Sequence, residues 1–124
     1  MPQNRETGAA ANRYGKETAA QIAKRLKAKK LDKISNEVQY KKRRAVIKCA
    51  HYGNIYIGVT TKMLERLDEI IAALENEFGK YELYALSPKI FKKNMRIGFH
   101  KHIGLVLKKT FKEQGKFLKT LDLT

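Results

Sequence analysis

The chain has 124 residues, of which 43% are hydrophobic, and a formal net charge of +15 from 27 basic and 12 acidic residues. This length predicts a single domain over residues 1–124, with residues 1–12 flexible. No apolar run is long enough for a membrane span or a secretion signal, and the single cysteine, Cys49, excludes an internal disulfide. We therefore expect a cytoplasmic protein, with association with the nucleoid as one option.

The basic residues are concentrated in the two ends of the chain. Residues 1–50 contain 14 basic and 4 acidic residues, residues 51–86 contain 3 and 6, and residues 87–124 contain 10 and 2. Positive potential should therefore collect on particular faces. Nucleic acid is the partner we favour, because each lysine or arginine placed at a phosphate releases condensed counterions. An anionic membrane surface or an acidic protein is the alternative that charge alone leaves open.

The first half of the chain predicts one helix and three strands. A helix begins at Thr18, with Ala19, Ile22, Ala23 and Leu26 on one side and lysines and arginines around the rest. Two β-branched segments, 34–40 and 45–50, then suit an antiparallel hairpin closed by the four basic residues 41–44. After a polar break, residues 55–59 predict a third strand.

The second half predicts a long helix, a fourth strand and two short helices. The long helix is capped by Thr60 or Thr61, has apolar residues at three- and four-residue steps as far as Phe78, and ends at Gly79. Residues 81–86 follow as a strand, Ser87 and Pro88 start a short helix, residues 104–107 suit a strand, and Thr110 with Glu113 has capping-box spacing. This order indicates a mixed α+β fold, in which a three-stranded antiparallel hairpin or meander is extended by a fourth strand and flanked by helices.

Residues 49–67 resemble part of the GIY-YIG nuclease family. Tyr56, Ile57 and Gly58 match its Tyr-Ile-Gly strand, and Arg66 falls at the position of a helical arginine. The resemblance implies a catalytic role for Tyr56 and Arg66, with the arginine stabilising phosphate charge in the transition state. In the alternative, the two residues have no catalytic role: Gly58 permits a tight bend and Arg66 is a solvated side chain.

The order of elements resembles the restriction-endonuclease-like PD-(D/E)xK superfamily. That resemblance implies a catalytic Mg²⁺ site on the hairpin, with a carboxylate on one strand and a lysine on the next. A symmetric four-residue loop at 41–44 would pair Glu37 with Lys48 on one face, and Val38, Tyr40, Ala45 and Ile47 on the core face. Glu37 and Lys48 are thus the catalytic candidates.

The second acid of the superfamily motif is replaced here by Val46. Glu37 and Glu17 are the candidate metal ligands, although Glu17 points nearly opposite the apolar stripe of the first helix. With one acid in place of two, Mg²⁺ would bind weakly unless a carbonyl and waters completed its octahedron. The alternative for Glu37 and Lys48 is a cross-strand ion pair.

The basic residues predict two phosphate-binding patches. One comprises the first helix and the hairpin tip, with Lys24, Lys27, Lys29, Lys30, Lys41, Lys42, Arg43 and Arg44. The other comprises Lys92, Lys93, Arg96, Lys101, Lys108 and Lys109. Three aromatic residues, Tyr14, Tyr52 and Phe99, are candidates for stacking on exposed bases.

These observations leave three functions open. The first is a Mg²⁺-dependent endonuclease acting on double-stranded or branched DNA, for which a homodimer would reach both strands. The second is a non-catalytic DNA-binding module with a degenerate nuclease fold, which the absent acid at Val46 favours. The third is a basic protein associated with RNA or the ribosome.

Overall fold

The computed structural model describes residues 5–31, 36–98 and 101–123, and only the backbone of residues 5–13. The described residues form four helices and nine strands, a mixed α+β fold as predicted. The helices are α1 (Arg5–Leu26), α2 (Thr61–Leu64), α3 (Pro88–Asn94) and α4 (Lys108–Gln114). The strands are β1 (Lys29–Lys30), β2 (Glu37–Tyr40), β3 (Arg43–Ala50), β4 (Tyr56–Thr60), β5 (Glu69–Glu75), β6 (Tyr81–Leu86), β7 (Arg96–Ile97), β8 (Ile103–Leu107) and β9 (Lys116–Leu121). Within the described ranges, no helix has the length and apolar character needed to cross a membrane.

The strands make two sheets of different size. The large sheet has the order β1-β2-β3-β5-β6-β9, and its β3–β5 pair is parallel while its other pairs are antiparallel. The small sheet has the order β4-β8-β7 and is antiparallel. Its strands come from the connections of the large sheet, because β4 lies between β3 and β5 in the chain, and β7 and β8 lie between β6 and β9.

Apolar side chains cover both faces of the large sheet. On one face, α1 contributes Ala19 and Ile22 to a cluster that contains Ala45 and Ile47 of β3. On the other face, a second cluster joins Val46 to residues of the small sheet, α2, α3 and α4. The molecule therefore has three layers, with α1 on one side of the large sheet and the small sheet and short helices on the other.

The β2–β3 hairpin is tighter than the sequence predicts. Tyr40 pairs with Arg43, so the loop contains only Lys41 and Lys42, which have φ angles of 50° and 66°. Such two-residue turns match the twist of the flanking strands, but they normally contain Asn-Gly or a similar pair. Lys41-Lys42 is not such a pair, so the sequence does not reveal the two-residue turn. The predicted four-residue loop is wrong, and Glu37 lies opposite Val46 instead of Lys48. The predicted core face of Val38, Ala45 and Ile47 is confirmed.

The long helix predicted from Thr60 to Phe78 is also wrong. Thr60 does cap a helix, since its hydroxyl accepts a hydrogen bond from the Met63 amide, but α2 ends at Leu64. The apolar run that follows is β5, a strand between β3 and β6 whose residues are buried on both faces. A strand of this kind has no polar alternation, so a short apolar run cannot be distinguished from a buried helix by its period. Phe78 is 76% exposed.

Several other predictions are confirmed in part. The strand at 81–86 and the helix that starts at Ser87–Pro88 form as predicted, with the Ser87 hydroxyl capping the Ile90 amide. The predicted strands at 55–59 and 104–107 do form, but they pair with each other in the small sheet, whereas β5 is the strand beside β3. The first helix begins at Arg5, and α4 begins at Lys108 without a side-chain cap. Residues 34 and 35 of the predicted first strand lie outside the described ranges.

Candidate nucleic-acid interface

Basic residues that are distant in sequence meet at one end of the large sheet. We call this the turn end: it comprises Lys29 of β1, the turn residues Lys41 and Lys42, Arg43, and Lys116 of β9. Pairing places Lys29 opposite Gln39 next to the turn, and places Lys116 opposite Ala85 near the end of β6. All five side chains are exposed. Lys41, Arg43 and Lys116 also line one shared pocket on the α1 side of the sheet.

The lysines, not the arginines, supply the surplus charge of the turn end. Arg43 pairs with Glu69 at 3.2 Å, and the backbone amide of Arg44 donates to Asp68 at 2.9 Å. The lysines Lys29, Lys41 and Lys42 have no ion pair with a carboxylate in the described part of the chain. A row of cations with few compensating acids is the arrangement that phosphate binding requires.

Carboxylates collect at the opposite end of the same sheet. Glu75 ends β5, Glu77 lies in the following turn, and Glu82 lies near the start of β6. Glu75, Glu77 and Glu82 line a common pocket there together with Lys108 and Lys112. Three of the six acids of residues 51–86 thus lie away from the turn end, while Asp68 and Glu69 lie beside it. The positive potential is therefore directional.

Glu37 is the most buried polar residue of the described part of the chain, and it bonds to two arginines. The Glu37 side chain is 1% exposed, and its two oxygens accept from Arg66 Nε at 2.8 Å and Arg66 Nη2 at 2.9 Å. Arg44 Nε donates to the same Oε1 atom at 3.1 Å. Both arginine side chains are 42% exposed. This is a bidentate ion pair with a second guanidinium beside it, which holds both arginines in fixed orientations.

The register of the hairpin separates Glu37 from Lys48. Both side chains belong to the face of the sheet opposite α1, but Val46 is the residue across from Glu37, so the predicted cross-strand pair of Glu37 and Lys48 is wrong. Lys48 has no ion pair among the described residues. Burial lowers the pKa of Lys48, and the neighbouring Cys49 opposes that change. Its ammonium charge is thus held in an unfavourable environment.

The described residues around Glu37 do not fit a magnesium ion. Glu17 is on α1, which packs against the other face of the large sheet, so the fold does not bring Glu17 to Glu37. The oxygens of Glu37 face two guanidinium groups, and a cation would have to displace them. Over residues 5–31, 36–98 and 101–123, no three His, Cys, Asp or Glu side chains are grouped as metal ligands would be. These residues therefore give no support to a Mg²⁺-dependent reaction at Glu37.

The two residues of the GIY-YIG resemblance lie apart. Tyr56 is the first residue of β4, and its ring lies 5.6 Å from the Arg96 guanidinium carbon, with Arg96 Nη1 3.4 Å from the phenol oxygen. Arg66 follows α2 and bonds Glu37 instead. The structure thus joins Arg66 to Glu37, two candidates taken from different resemblances, and leaves Tyr56 with a different cation.

The remaining candidates are spread over two regions. Lys24 is exposed on α1, Lys27 follows α1 with a φ of 58°, and Lys29 and Lys30 are on β1 instead of the first helix. The second predicted patch surrounds the small sheet, and its exposed or half-buried members are Lys92, Lys93, Arg96, Lys101, Lys108 and Lys109. Its charges therefore lie on elements other than those that form the turn end.

The three aromatic candidates for base stacking have different environments. Tyr14 is half-buried, stacks on His51 at 3.8 Å between ring centroids and is hydrogen-bonded to Tyr81, so its ring is already covered. Tyr52 is 60% exposed and has Lys108 Nζ 5.6 Å from its ring centroid. Phe99 lies outside the described residues.

Cys49 is expected to be unreactive in the folded protein. Burial raises the pKa of the Cys49 thiol to about 12, although the nearby Lys48 acts in the opposite direction. Because only the thiolate is nucleophilic, alkylation by iodoacetamide at pH 8 should be at least roughly a hundredfold slower in the native protein than in urea. Mass spectrometry of time points measures both rates. Equal rates would show that Cys49 is accessible as a thiolate.

Comparisons with known proteins give no family for this chain. No family model matches it, and no curated protein is significantly similar. The function is therefore inferred from the residues themselves.

Two features of the site are not visible in the sequence. Lys116 has no neighbouring pattern that marks it. The contact of Arg44 and Arg66 with Glu37 depends on the pairing of distant strands.

Proposed function

We propose that this protein binds nucleic acid, preferentially duplex DNA, through the turn end of the large sheet. The observation that carries this proposal is the convergence of Lys29, Lys41, Lys42 and Lys116 from three separate parts of the chain. Of the carboxylates described nearby, Glu69 and Glu37 pair with arginines and Asp68 accepts from a backbone amide, so most of the lysine charge has no carboxylate partner. Lysines placed in this way neutralise phosphates and release counterions, which drives association.

The dimensions of the turn end suit a duplex. Six strands at a spacing of about 4.8 Å place the outermost strands roughly 24 Å apart. The major groove of DNA is about 12 Å wide, so a row of this length reaches phosphates on both sides of the groove. The two-residue turn projects Lys41 and Lys42 beyond the strands, where they meet the backbone first. These contacts position the protein without reading base sequence.

Cleavage of the bound strand is the second candidate. Glu37, Lys48 and Arg66 belong to the same side of the large sheet, and Arg66 has the geometry to stabilise an anion near Glu37. The described side chains offer no metal-ligand group, however, and Glu37 is bonded to arginines. Endonuclease activity therefore stays a prediction of the sequence, and binding without cleavage is the function that the geometry supports best.

Binding to a fluorescein-labelled duplex, followed by fluorescence anisotropy, tests the proposal. With about four lysine contacts, the slope of log K against log salt should be about −3.5 to −4. Binding should persist in EDTA, because no step of the proposed binding requires a metal, and added Mg²⁺ should weaken it by competing with the lysines for phosphates. The absence of binding at about 50 mM salt would refute the proposal.

Two other outcomes would identify the alternatives. Tighter binding to structured RNA than to duplex DNA at the same salt concentration would favour an RNA-associated protein. Loss of intact duplex in Mg²⁺ but not in EDTA, abolished by Lys48→Ala, would establish the endonuclease. The gel that separates cleaved from intact strands uses the same samples as the anisotropy measurement.

A further inference from the structure

The outer face of the small sheet combines exposed apolar side chains with cations. Of the eight large hydrophobic residues that are exposed in the described part of the chain, Tyr56 and Leu107 lie on this face, and Tyr52, Ile55 and Ile97 lie at the edges of the sheet. Tyr56 pairs with Leu107, so their side chains lie side by side on the face that points away from the core. Exposed apolar side chains next to each other on the surface of a highly charged protein indicate a binding surface.

Glycines make the centre of this face flat. A Cβ atom on Gly58 would lie 3.2 Å from Leu105 Cδ2, and one on Gly98 would lie 3.1 Å from Leu105 Cδ1. The Leu105 side chain therefore lies across positions that carry no side chain of their own. Flat planar ligands pack well against such a floor, because no side chain projects to keep them away.

Cations stand beside the two exposed rings. Arg96 lies over Tyr56 and Lys108 over Tyr52, while Lys108 Nζ donates to the Tyr52 carbonyl at 2.9 Å and the Lys108 amide donates to the Ile55 carbonyl at 2.8 Å. These contacts hold the segment before β4 against the residue that follows β8. Each aromatic ring therefore has a positive charge close to the place where a phosphate would lie next to a stacked base.

The charge around the face is almost all of one sign. No acidic residue occurs in the sequence from 88 to 112, a segment that supplies β7, β8, α3 and most of α4. Glu75, Glu77 and Glu82 are the exceptions in space, because they line a pocket with Tyr52 and Lys108, and Glu75 accepts a hydrogen bond from the Tyr52 amide at 3.1 Å. The Tyr56 side of the face is therefore the more basic. An anionic ligand with planar apolar groups is complementary to this side.

From these features we propose that the outer face of the small sheet binds unpaired bases of single-stranded nucleic acid, with Tyr56 as the stacking residue and Arg96 as its phosphate contact. The inference rests on the proposed nucleic-acid-binding function and adds a second surface with a different substrate class. In a duplex the base faces are stacked on each other, so Tyr56 cannot stack on them. A single strand exposes them and stacks on aromatic rings in a sequence-tolerant way.

The test uses Tyr56→Leu, which keeps an apolar side chain on the strand but removes the aromatic ring. Its dissociation constant for a fluorescein-labelled oligothymidine should rise about tenfold, while its dissociation constant for duplex DNA stays unchanged. Arg96→Leu should also weaken binding to oligothymidine and reduce its salt dependence. The matched control is Phe78→Leu, which removes an aromatic ring that is 76% exposed in the connection between β5 and β6, outside the small sheet. Circular dichroism establishes that all three variants are folded.

Three outcomes would overturn the inference. The first is equal binding of oligothymidine by Tyr56→Leu and the unchanged protein while duplex binding persists, which would leave the proposed function standing. The second is a parallel loss of duplex binding, which would make Tyr56 part of a general surface. The third is binding to vesicles of anionic lipid that Tyr56→Leu abolishes while oligothymidine binding is retained, which would assign the face to a membrane. A protein that binds neither nucleic acid would refute the proposed function itself.

Discussion

The double substitution Lys41→Asn/Lys42→Gly is expected to weaken duplex binding by roughly tenfold and to stabilise the fold at the same time. Both lysines have positive φ angles, which cost an ordinary residue about 1 kcal/mol or more, whereas Asn-Gly is the preferred sequence of such a turn. The free energy of unfolding should therefore rise by about 1 kcal/mol. Two lost phosphate contacts should reduce the salt slope by about 1.8. Urea unfolding and anisotropy at several salt concentrations measure the two effects.

A control with the same loss of charge separates position from net charge. Lys80→Asn/Lys112→Gln removes two lysines near the acidic end, where Lys112 lines a pocket with Glu75, Glu77 and Glu82. Its salt slope should stay within experimental error of the unchanged protein. If both variants lost affinity equally, net charge alone would explain binding, and the turn end would not be the interface.

The double substitution is expected to lower the affinity for duplex DNA and to raise the free energy of unfolding. These opposite effects would account for two lysines in a strained turn. A residue that costs stability persists where its side chain has another role, and here both turn positions carry a charge that points away from the sheet. A purely structural turn would have no reason to keep two lysines with left-handed backbone. Under the proposed function, the requirements of binding and of stability oppose each other at this turn.

Arg66→Met is expected to reduce the free energy of unfolding by about 2–3 kcal/mol. Glu37 would keep its burial and lose the partner that makes two of its hydrogen bonds, at 2.8 and 2.9 Å. Arg44→Met removes one bond to the same carboxylate and should cost only about 1 kcal/mol. For a chain of this length, the change at Arg66 corresponds to a fall of about 8–12 °C in the melting temperature. Differential scanning calorimetry measures both variants.

The double variant Glu37→Met/Arg66→Met tests the physical cause of that loss. With the carboxylate replaced, no buried negative charge lacks its partner, and Arg44 is exposed enough to be hydrated. Most of the lost stability should return. If the double variant were as unstable as Arg66→Met, the loss would come from the packing of the arginine and not from the charge of Glu37.

The sequence predicts the fold best where local chemistry decides it. Ser87 and Pro88 define a helix start by capping and by a fixed φ angle, and the strand at 81–86 alternates between its two sides. It fails at β5, where Ile70 and Ile71 face opposite sides of a central strand and both are fully buried. Burial of that kind is imposed by the neighbouring strands, which no local pattern reveals.

The candidate site shows the same division. The basic character of residues 41–44 is visible in the sequence, but their roles differ: Lys41 and Lys42 project from the turn, while Arg43 and Arg44 bond carboxylates. The contact between Glu37 and Arg66 requires the parallel pairing of β3 and β5, a long-range arrangement. A resemblance at the level of motifs assigned these two residues to different enzymes, and the fold assigns them to one ion pair.

The small sheet, which carries one proposed surface, is connected to the large sheet, which carries the other, because its strands come from connections between strands of the large sheet. Its strand β4 belongs to the link between β3 and β5, and its strands β7 and β8 belong to the link between β6 and β9, so the β4–β8 ladder fastens one half of the large sheet to the other. A single strand of nucleic acid bound across Tyr56 and Arg96 would contact both links and would resist their separation. Occupancy of that site would then slow hydrogen exchange throughout β5 and β6, far from any contact with the ligand.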